Sequence, residues 1–213
     1  MGEQRLKPGL YAITDGLRSA QEVLLAVGAA IKGGAVLIQY RDKTTPLVHR
    51  QERAAALCQL CRHLSVPLII NDDPRLAREI GAEGVHLGQD DPSYEEARGL
   101  LGAQAIIGIS CYNLLDKALS AQALGADYVA FGRFFPSKTK PEAVEAPISL
   151  LKEARRVLSI PIVAIGGITP ENGGSLIEVG ADLLAVADGV FGQSDPEAAA
   201  RRYADLFHTQ GTT

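Results

Sequence analysis

What most constrains this chain is a rhythm: a short apolar, β-branched run followed by an amphipathic stretch of about 10 to 15 residues, repeated from one end to the other. The runs are LYAIT (10–14), LIQYR (37–41), PLIIN (67–71), GVHLG (84–88), IIGIS (106–110), YVAFG (128–132), PIVAIGG (161–167) and LLAVA (183–187). Helical patterns fill 20–32, 46–63, 93–101, 115–124, 148–158, 171–179 and 196–207, with a shorter one in DPRLAREIGA. Several close on glycine before the next run, as in KGGA, IGAEG, LGAD and VGAD, where a left-handed cap turns a helix back into a strand.

Strands apolar on both faces and alternating with helices require a parallel sheet covered on its outside. Eight such units within 213 residues predict a single-domain (β/α)8 TIM barrel, spanning 1–213 with its core at about 10–207. An open doubly wound sheet is the alternative. No linker interrupts the pattern, and 46% hydrophobic with 22% charged residues excludes disorder.

A net charge of −4 provides no basic field for a phosphate backbone, so no nucleic-acid partner is expected. No apolar run reaches membrane-spanning length, and MGEQRLKPG lacks the apolar core of a secretory leader, so a cytoplasmic protein without membrane attachment is expected. Three cysteines cannot all pair, which fits a reducing compartment. Cys58 and Cys61 form a C-x-x-C within the helical pattern RAAALCQLCRHL, and buried small hydrophobes is the reading adopted over a metal site. A homo-oligomer is compatible with the chain.

In such a barrel, chemistry belongs where strands end and helices begin. Those junctions carry Gln39, Arg41 and Lys43; Asn71, Asp72 and Asp73; Gln89, Asp90 and Asp91; Ser110; GRFFPSKTK; GGIT; and ADG. The opposite ends carry turn and packing residues such as GGAV, SVP, GAEG, GAD and SIP. This asymmetry points to an enzyme.

The polar rim is sorted by charge. Arg41, Lys43, Arg133, Lys138 and Lys140 form a basic cluster suited to phosphate oxygens. Asp72 and Asp91 follow neighbouring strands and suit Mg²⁺, which takes one or two protein carboxylates and completes its shell with phosphate and water. Spacing alone does not separate them from Asp73 and Asp90. AIGGIT and AVADG follow the seventh and eighth strands, where glycine backbone approaches a phosphate. Two phosphate regions imply two phosphorylated small-molecule ligands, with transfer between them or release of a diphosphate. His86 lies near a strand end and is read as structural before catalytic, while His49 and His208 are read as solvated. No nucleophile elbow, P-loop or G-x-G-x-x-G is present.

LYAITD, QYRDK, IINDD, GVHLGQDD, IIGIS, GADYVAFGRFFPSKTK and IPIVAIGGIT, in that order, resemble the thiamine-phosphate synthase family over roughly residues 10–207. The resemblance implies a Mg²⁺-dependent dissociative transfer in thiamine biosynthesis. Hydroxymethylpyrimidine diphosphate loses pyrophosphate and is captured by hydroxyethylthiazole phosphate or its carboxylated form. It implies that Gln39, Arg41, Lys43, Asn71, Ser110 and Lys140 hold the pyrimidine diphosphate, with Arg41, Lys43, Ser110 and Lys140 acting in catalysis. By the same resemblance Asp72 and Asp91 bind Mg²⁺, and Ser137, Lys138, Thr139, Gly167, Ala187 and Asp188 line the thiazole phosphate site. Tyr40 and Asp42 are counted with the substrate-binding stretch, although strand alternation turns them to the opposite face from Gln39, Arg41 and Lys43.

Three positions depart from the family pattern. Ser137 stands where threonine is usual, Tyr112 stands where a histidine is frequent, and Asp188 replaces a serine beside an anion, a repulsion that Arg133 is expected to offset. The rivals are a thiazole tautomerase-like isomerase and a non-catalytic phosphate-ligand-binding barrel. QYRDK with Asp72 and Asp91 argues against the first. Residues 133–146 are a candidate lid.

Overall fold

The computed structural model describes residues 6–14, 19–136 and 144–208. The apolar runs become β1 (Gly9–Ile13), β2 (Ala35–Tyr40), β3 (Leu68–Asn71), β4 (Gly84–Leu87), β5 (Ile106–Tyr112), β6 (Tyr128–Phe131), β7 (Ile162–Ile165) and β8 (Leu183–Val186). Every neighbouring pair is parallel, and β1 pairs with both β2 and β8, so the sheet closes into the expected barrel. Around it run α1 (Ala20–Lys32), α2 (Leu47–His63), α3 (Pro74–Ile80), α4 (Tyr94–Leu101), α5 (Leu115–Leu124), α6 (Ser149–Val157), α7 (Pro170–Glu178), α8 (Asp188–Phe191) and α9 (Pro196–His208).

Two features differ from the sequence reading. Strand β5 continues past Ser110 to Tyr112, with a register shift against β6 between those residues. A four-residue helix, α8, follows β8. So short a helix completes barely one turn and leaves no periodic signature.

Alternation along each strand sorts the core into two layers. Leu10, Ala12, Ile38, Ile70 and Val129 face the helices. Tyr11, Leu37, Ile69, Tyr128 and Val163 fill the barrel interior. Each fully buried leucine or isoleucine contributes roughly 1.5–3 kcal/mol, so these layers dominate the stability. Tyr128 occupies space left open by Gly108 on β5, where an ideal Cβ would stand 1.9 Å from Tyr128 Cζ. Gly108→Ala is therefore expected to cost about 3 kcal/mol through overpacking, read as a lower urea midpoint with an unchanged slope.

At the N-terminal rim of the strands, one arrangement recurs three times. Asp127 Oδ2 accepts from Ile107 N at 2.9 Å and from Arg98 at 2.7 Å. Asp182 Oδ2 accepts from Ile162 N at 2.8 Å and from Arg155 at 2.9 Å. Glu83 Oε2 accepts from Leu68 N at 3.0 Å, with Arg62 3.8 Å from its other oxygen. In each clasp a helix arginine and the N–H starting the next strand meet on a carboxylate placed just before the strand after that. These carboxylates are consumed by the fold, which leaves the chemistry to the other rim.

Cys58, Cys61 and Cys111 are free and buried, and burial pushes the Cys61 thiol up to about 12, as inert packing requires. Among the described residues, no helix is long and apolar enough to cross a membrane.

Candidate active site

The C-terminal rim encloses a cavity of about 920 Å³, lined by residues from all eight strand ends. Gln39, Arg41 and Lys43 line it together, as alternation along β2 requires. Thr14, just past β1, fixes this edge: its N–H donates to Gln39 O at 2.9 Å, and its hydroxyl accepts from Arg41 N at 3.0 Å. Sequence reading passed over Thr14, whose sole signal is a hydroxyl closing an apolar strand.

Tyr40 and Asp42, counted with the substrate-binding stretch, do not line this cavity. Tyr40 is buried beneath α2 and donates its hydroxyl to Asp42 Oδ2 at 3.0 Å. Asp42 Oδ1 accepts from Thr44 N and Thr45 N at 3.1 and 3.0 Å, and Arg53 lies 3.4 Å from Oδ2. The charge between Arg41 and Lys43 is thus a strut that shapes the β2–α2 loop.

Asp72 and Asp91 lie across the ends of β3 and β4, near enough that each carboxyl shifts the other's titration. Lys43 Nζ lies 2.9 Å from Asp72 Oδ2, and Asp91 Oδ2 accepts from Gly88 N at 2.5 Å. Asp72 adopts a left-handed φ of 65°, an uncommon backbone that turns its side chain into the cavity while its N–H donates to His86 O at 2.9 Å. The neighbouring carboxylates are employed differently. Asp73 Oδ1 caps α3 on Leu76 N at 2.9 Å, and Asp90 is exposed at the rim.

The two site carboxyls titrate in opposite directions. Burial pushes both up. At Asp72 Lys43 and Asp91 together outweigh it and hold the group below the usual carboxylate range. At Asp91 the adjacent Asp72 charge adds to burial, and the group lies above that range despite the Gly88 N–H. Two carboxylates forced together beside a lysine form a site that a divalent cation would relieve. Among the described residues, no group of three or more histidine, cysteine or acidic side chains gathers for a metal, at this site or at any other, so a cation here would rest on the two carboxylates and its other ligands.

The opposite wall is backbone. Gly166 and Gly167 have φ of 102° and 64°, and a Cβ on Gly167 would stand 2.3 Å from Pro136 O. Asn172 Nδ2 donates to Gly167 O at 3.1 Å and its Oδ1 accepts from Thr169 N at 2.8 Å, fixing this turn to the start of α7. Ala187 and Asp188 begin α8 and line the same wall. The Asp188 carboxylate folds back along α8, so that a Cβ on Gly192 would stand 2.3 Å from its Oδ1. Arg133 also lines the cavity, with its guanidinium 3.8 Å from Glu145.

Ser110, Asn71 and His86 lie on the cavity wall as well. Ser137, Lys138, Thr139 and Lys140 fall outside the described residues. The flanks on either side of 137–143 are tied together, Arg133 N donating to Val144 O at 3.0 Å and Ala146 N to Arg133 O at 2.8 Å.

A closed parallel barrel with cations and paired carboxylates on one wall of its C-terminal mouth, and glycine backbone on the other, defines a phosphate-handling (β/α)8 enzyme. A model described as thiamine monophosphate synthase matches residues 10–190, and the chain belongs to that family. It is 57% identical to the thiamine-phosphate synthase of Nitrosococcus oceani over 93% of this chain and 92% of that protein. The thiamine-phosphate synthase of Thioalkalivibrio sulfidiphilus is 54% identical, covering 96% and 97%. Among solved structures, the thiamine phosphate pyrophosphorylase of Pyrococcus furiosus superposes with a TM-score of 0.85 at 32% identity, covering 97% of this chain and 98% of that one.

Proposed function

We propose that this cavity joins hydroxymethylpyrimidine diphosphate to hydroxyethylthiazole phosphate, or to its carboxylated form, giving thiamine phosphate and pyrophosphate. The observation that carries the reading is the wall on which Arg41 and Lys43 stand beside the Asp72–Asp91 pair. A diphosphate calls for concentrated positive charge there, guanidinium and ammonium from the protein and a divalent metal that the two carboxylates would hold. Mg²⁺, held by Asp72 and Asp91, supplies positive charge to the diphosphate when bound.

In this reading the C–O bond to the diphosphate breaks ahead of capture, and charge grows on the leaving group. Arg41 and Lys43 act on that charge more strongly in the transition state than in the ground state. The Lys43 ammonium has three donors and can reach the diphosphate while keeping Asp72. The thiazole nitrogen attacks with its own lone pair, so no general base is required. The family resemblance adds Lys140 to the diphosphate grip and Ser137, Lys138 and Thr139 to the thiazole phosphate site. Gly167, Ala187 and Asp188 receive that phosphate on backbone, as their placement opposite the cations supports. Three free cysteines fit a cytosolic setting.

Mixing both substrates with Mg²⁺ and following pyrophosphate tests the reading. Release that depends on thiazole phosphate supports it; isomerisation of a thiazole without release favours the tautomerase, and binding alone the non-catalytic barrel. With its carboxylate folded toward Gly192, Asp188→Ser is expected to tighten thiazole phosphate binding by less than about tenfold, measured by calorimetry. A larger gain would mean that the carboxylate faces the anion.

A further inference from the structure

Along the floor of the cavity a line of side-chain hydrogen bonds crosses the barrel interior. Gln39 Nε2 donates to the Tyr11 hydroxyl at 2.7 Å, and the Tyr11 and Tyr128 hydroxyls lie 2.9 Å apart. Tyr128 reaches His86 Nδ1 at 3.0 Å, and His86 Nε2 reaches Ser110 Oγ at 2.8 Å. Five residues from β2, β1, β6, β4 and β5 form one chain with Gln39 and Ser110 at its ends, and all but Tyr128 line the cavity.

Counting protons gives this chain a direction. A tyrosine hydroxyl has one proton to donate. The Tyr11 oxygen receives Gln39 Nε2–H, so its own buried proton goes to Tyr128. Tyr128 therefore spends its proton on His86 Nδ1, and the imidazole carries its proton on Nε2 and gives it to Ser110 Oγ. Ser110 accepts from the protein and is left with one proton directed at the cavity. Burial keeps both tyrosines neutral, pushing their hydroxyls well above the usual phenol range.

We propose that Tyr11, Tyr128 and His86 are positioning residues that hold His86 as the Nε2–H tautomer and make Ser110 a hydrogen-bond donor to the bound ligand. Ser110 then selects a ligand atom with a lone pair and no proton. On the reaction proposed above, that atom is a ring nitrogen of the pyrimidine. A reversed chain, with Gln39 presenting its carbonyl to Tyr11, would make Ser110 an acceptor and select the opposite partner. The direction of five hydrogen bonds would thus discriminate between pyrimidines that differ in ring protonation.

The decisive measurement is the tautomer of His86 in the ligand-free protein, read from long-range ¹H–¹⁵N correlations of ¹⁵N-histidine-labelled enzyme. His86→Gln identifies its signals among the four histidines, of which the other three are exposed. A protonated Nε2 with a bare Nδ1 is expected, and a protonated Nδ1, alone or together with Nε2, overturns the proposal. Tyr128→Phe removes the donor to Nδ1 and is expected to mix the two tautomers and raise KM for the pyrimidine diphosphate about tenfold, with KM for thiazole phosphate changing by less than about twofold. An unchanged tautomer, or a parallel rise in both KM values, means that the chain is packing alone and also overturns it. The wild-type tautomer is read whether or not Tyr128→Phe folds, and it needs no activity. Absence of pyrophosphate release would sink the proposed reaction while leaving this test intact.

Discussion

Asp72→Ala is expected to lower kcat/KM for the pyrimidine diphosphate by about 10²–10³, the loss typical when one preorganised charge-stabilising group is deleted. Asp91→Ala should fall in the same range. Asp72 bonds to Lys43 at 2.9 Å and lies beside Asp91, so its removal takes away one side of the cation site and the partner that positions Lys43. The Mg²⁺ dependence separates the two contributions. In Asp91→Ala the half-saturating Mg²⁺ concentration should rise steeply while Lys43 keeps its partner, and in Asp72→Ala saturating Mg²⁺ should restore little. Chelating the metal from the wild type should reproduce the Asp91→Ala loss. Asp72→Asn is the gentler probe, because asparagine tolerates the left-handed backbone that Asp72 adopts at φ 65°. Rates untouched in both alanine variants would show that these carboxylates do not hold the metal.

Asp42→Ala should produce the largest loss of stability, about 3–5 kcal/mol, because it removes a carboxylate whose side chain is fully buried and on which several donors converge. Removing it takes the acceptor from the Tyr40 hydroxyl and from the N–H groups of Thr44 and Thr45, and leaves Arg53 with Thr45 Oγ1 at 2.9 Å but without its counter-charge. For a chain of this size the melting temperature should drop by roughly 10 °C or more. The sign of the pH dependence follows from the same contacts. Burial alone would raise the Asp42 carboxyl, but the bonds from Thr45, Thr44 and Tyr40 outweigh it and hold the group below its ordinary value. Its contribution is therefore fully present above the ordinary carboxylate pKa of about 4 and is lost as pH falls through the lowered folded value. Asp42→Asn should flatten that part of the acid unfolding curve. The loop also carries Lys43, so KM for the pyrimidine diphosphate should rise in either variant. Unchanged melting would mean that the strut bears no load.

Period-two and period-3.6 patterns were enough to predict the barrel, because each strand is buried on both faces and each helix on one. The same alternation turned Gln39, Arg41 and Lys43 inward and set Tyr40 and Asp42 apart, which the substrate-binding assignment overrode. Spacing left Asp72 and Asp73 equivalent, yet the stretch NDDPRL contained a distinguishing signal. An aspartate directly before a proline at a helix start is an N-cap, and the structure uses Asp73 in that way. What was not legible joins residues far apart in sequence. The Tyr11–Tyr128 contact spans 117 positions, and no local pattern reports which interior hydroxyls meet once the barrel closes. The N-terminal rim was likewise read as packing alone, because Arg62, Arg98 and Arg155 find their carboxylates only through the turn of a helix into the next strand.

Those three clasps divide the chain into cassettes. Each stitches a helix to the two strands that follow it: α2 to β3 and β4, α4 to β5 and β6, α6 to β7 and β8. A chimera with a related barrel that crosses over directly after β2, β4 or β6 keeps every clasp whole. A crossover after β3, β5 or β7 parts an arginine from its carboxylate. The barrel is therefore transferable in two-strand units, and its floor marks where to cut.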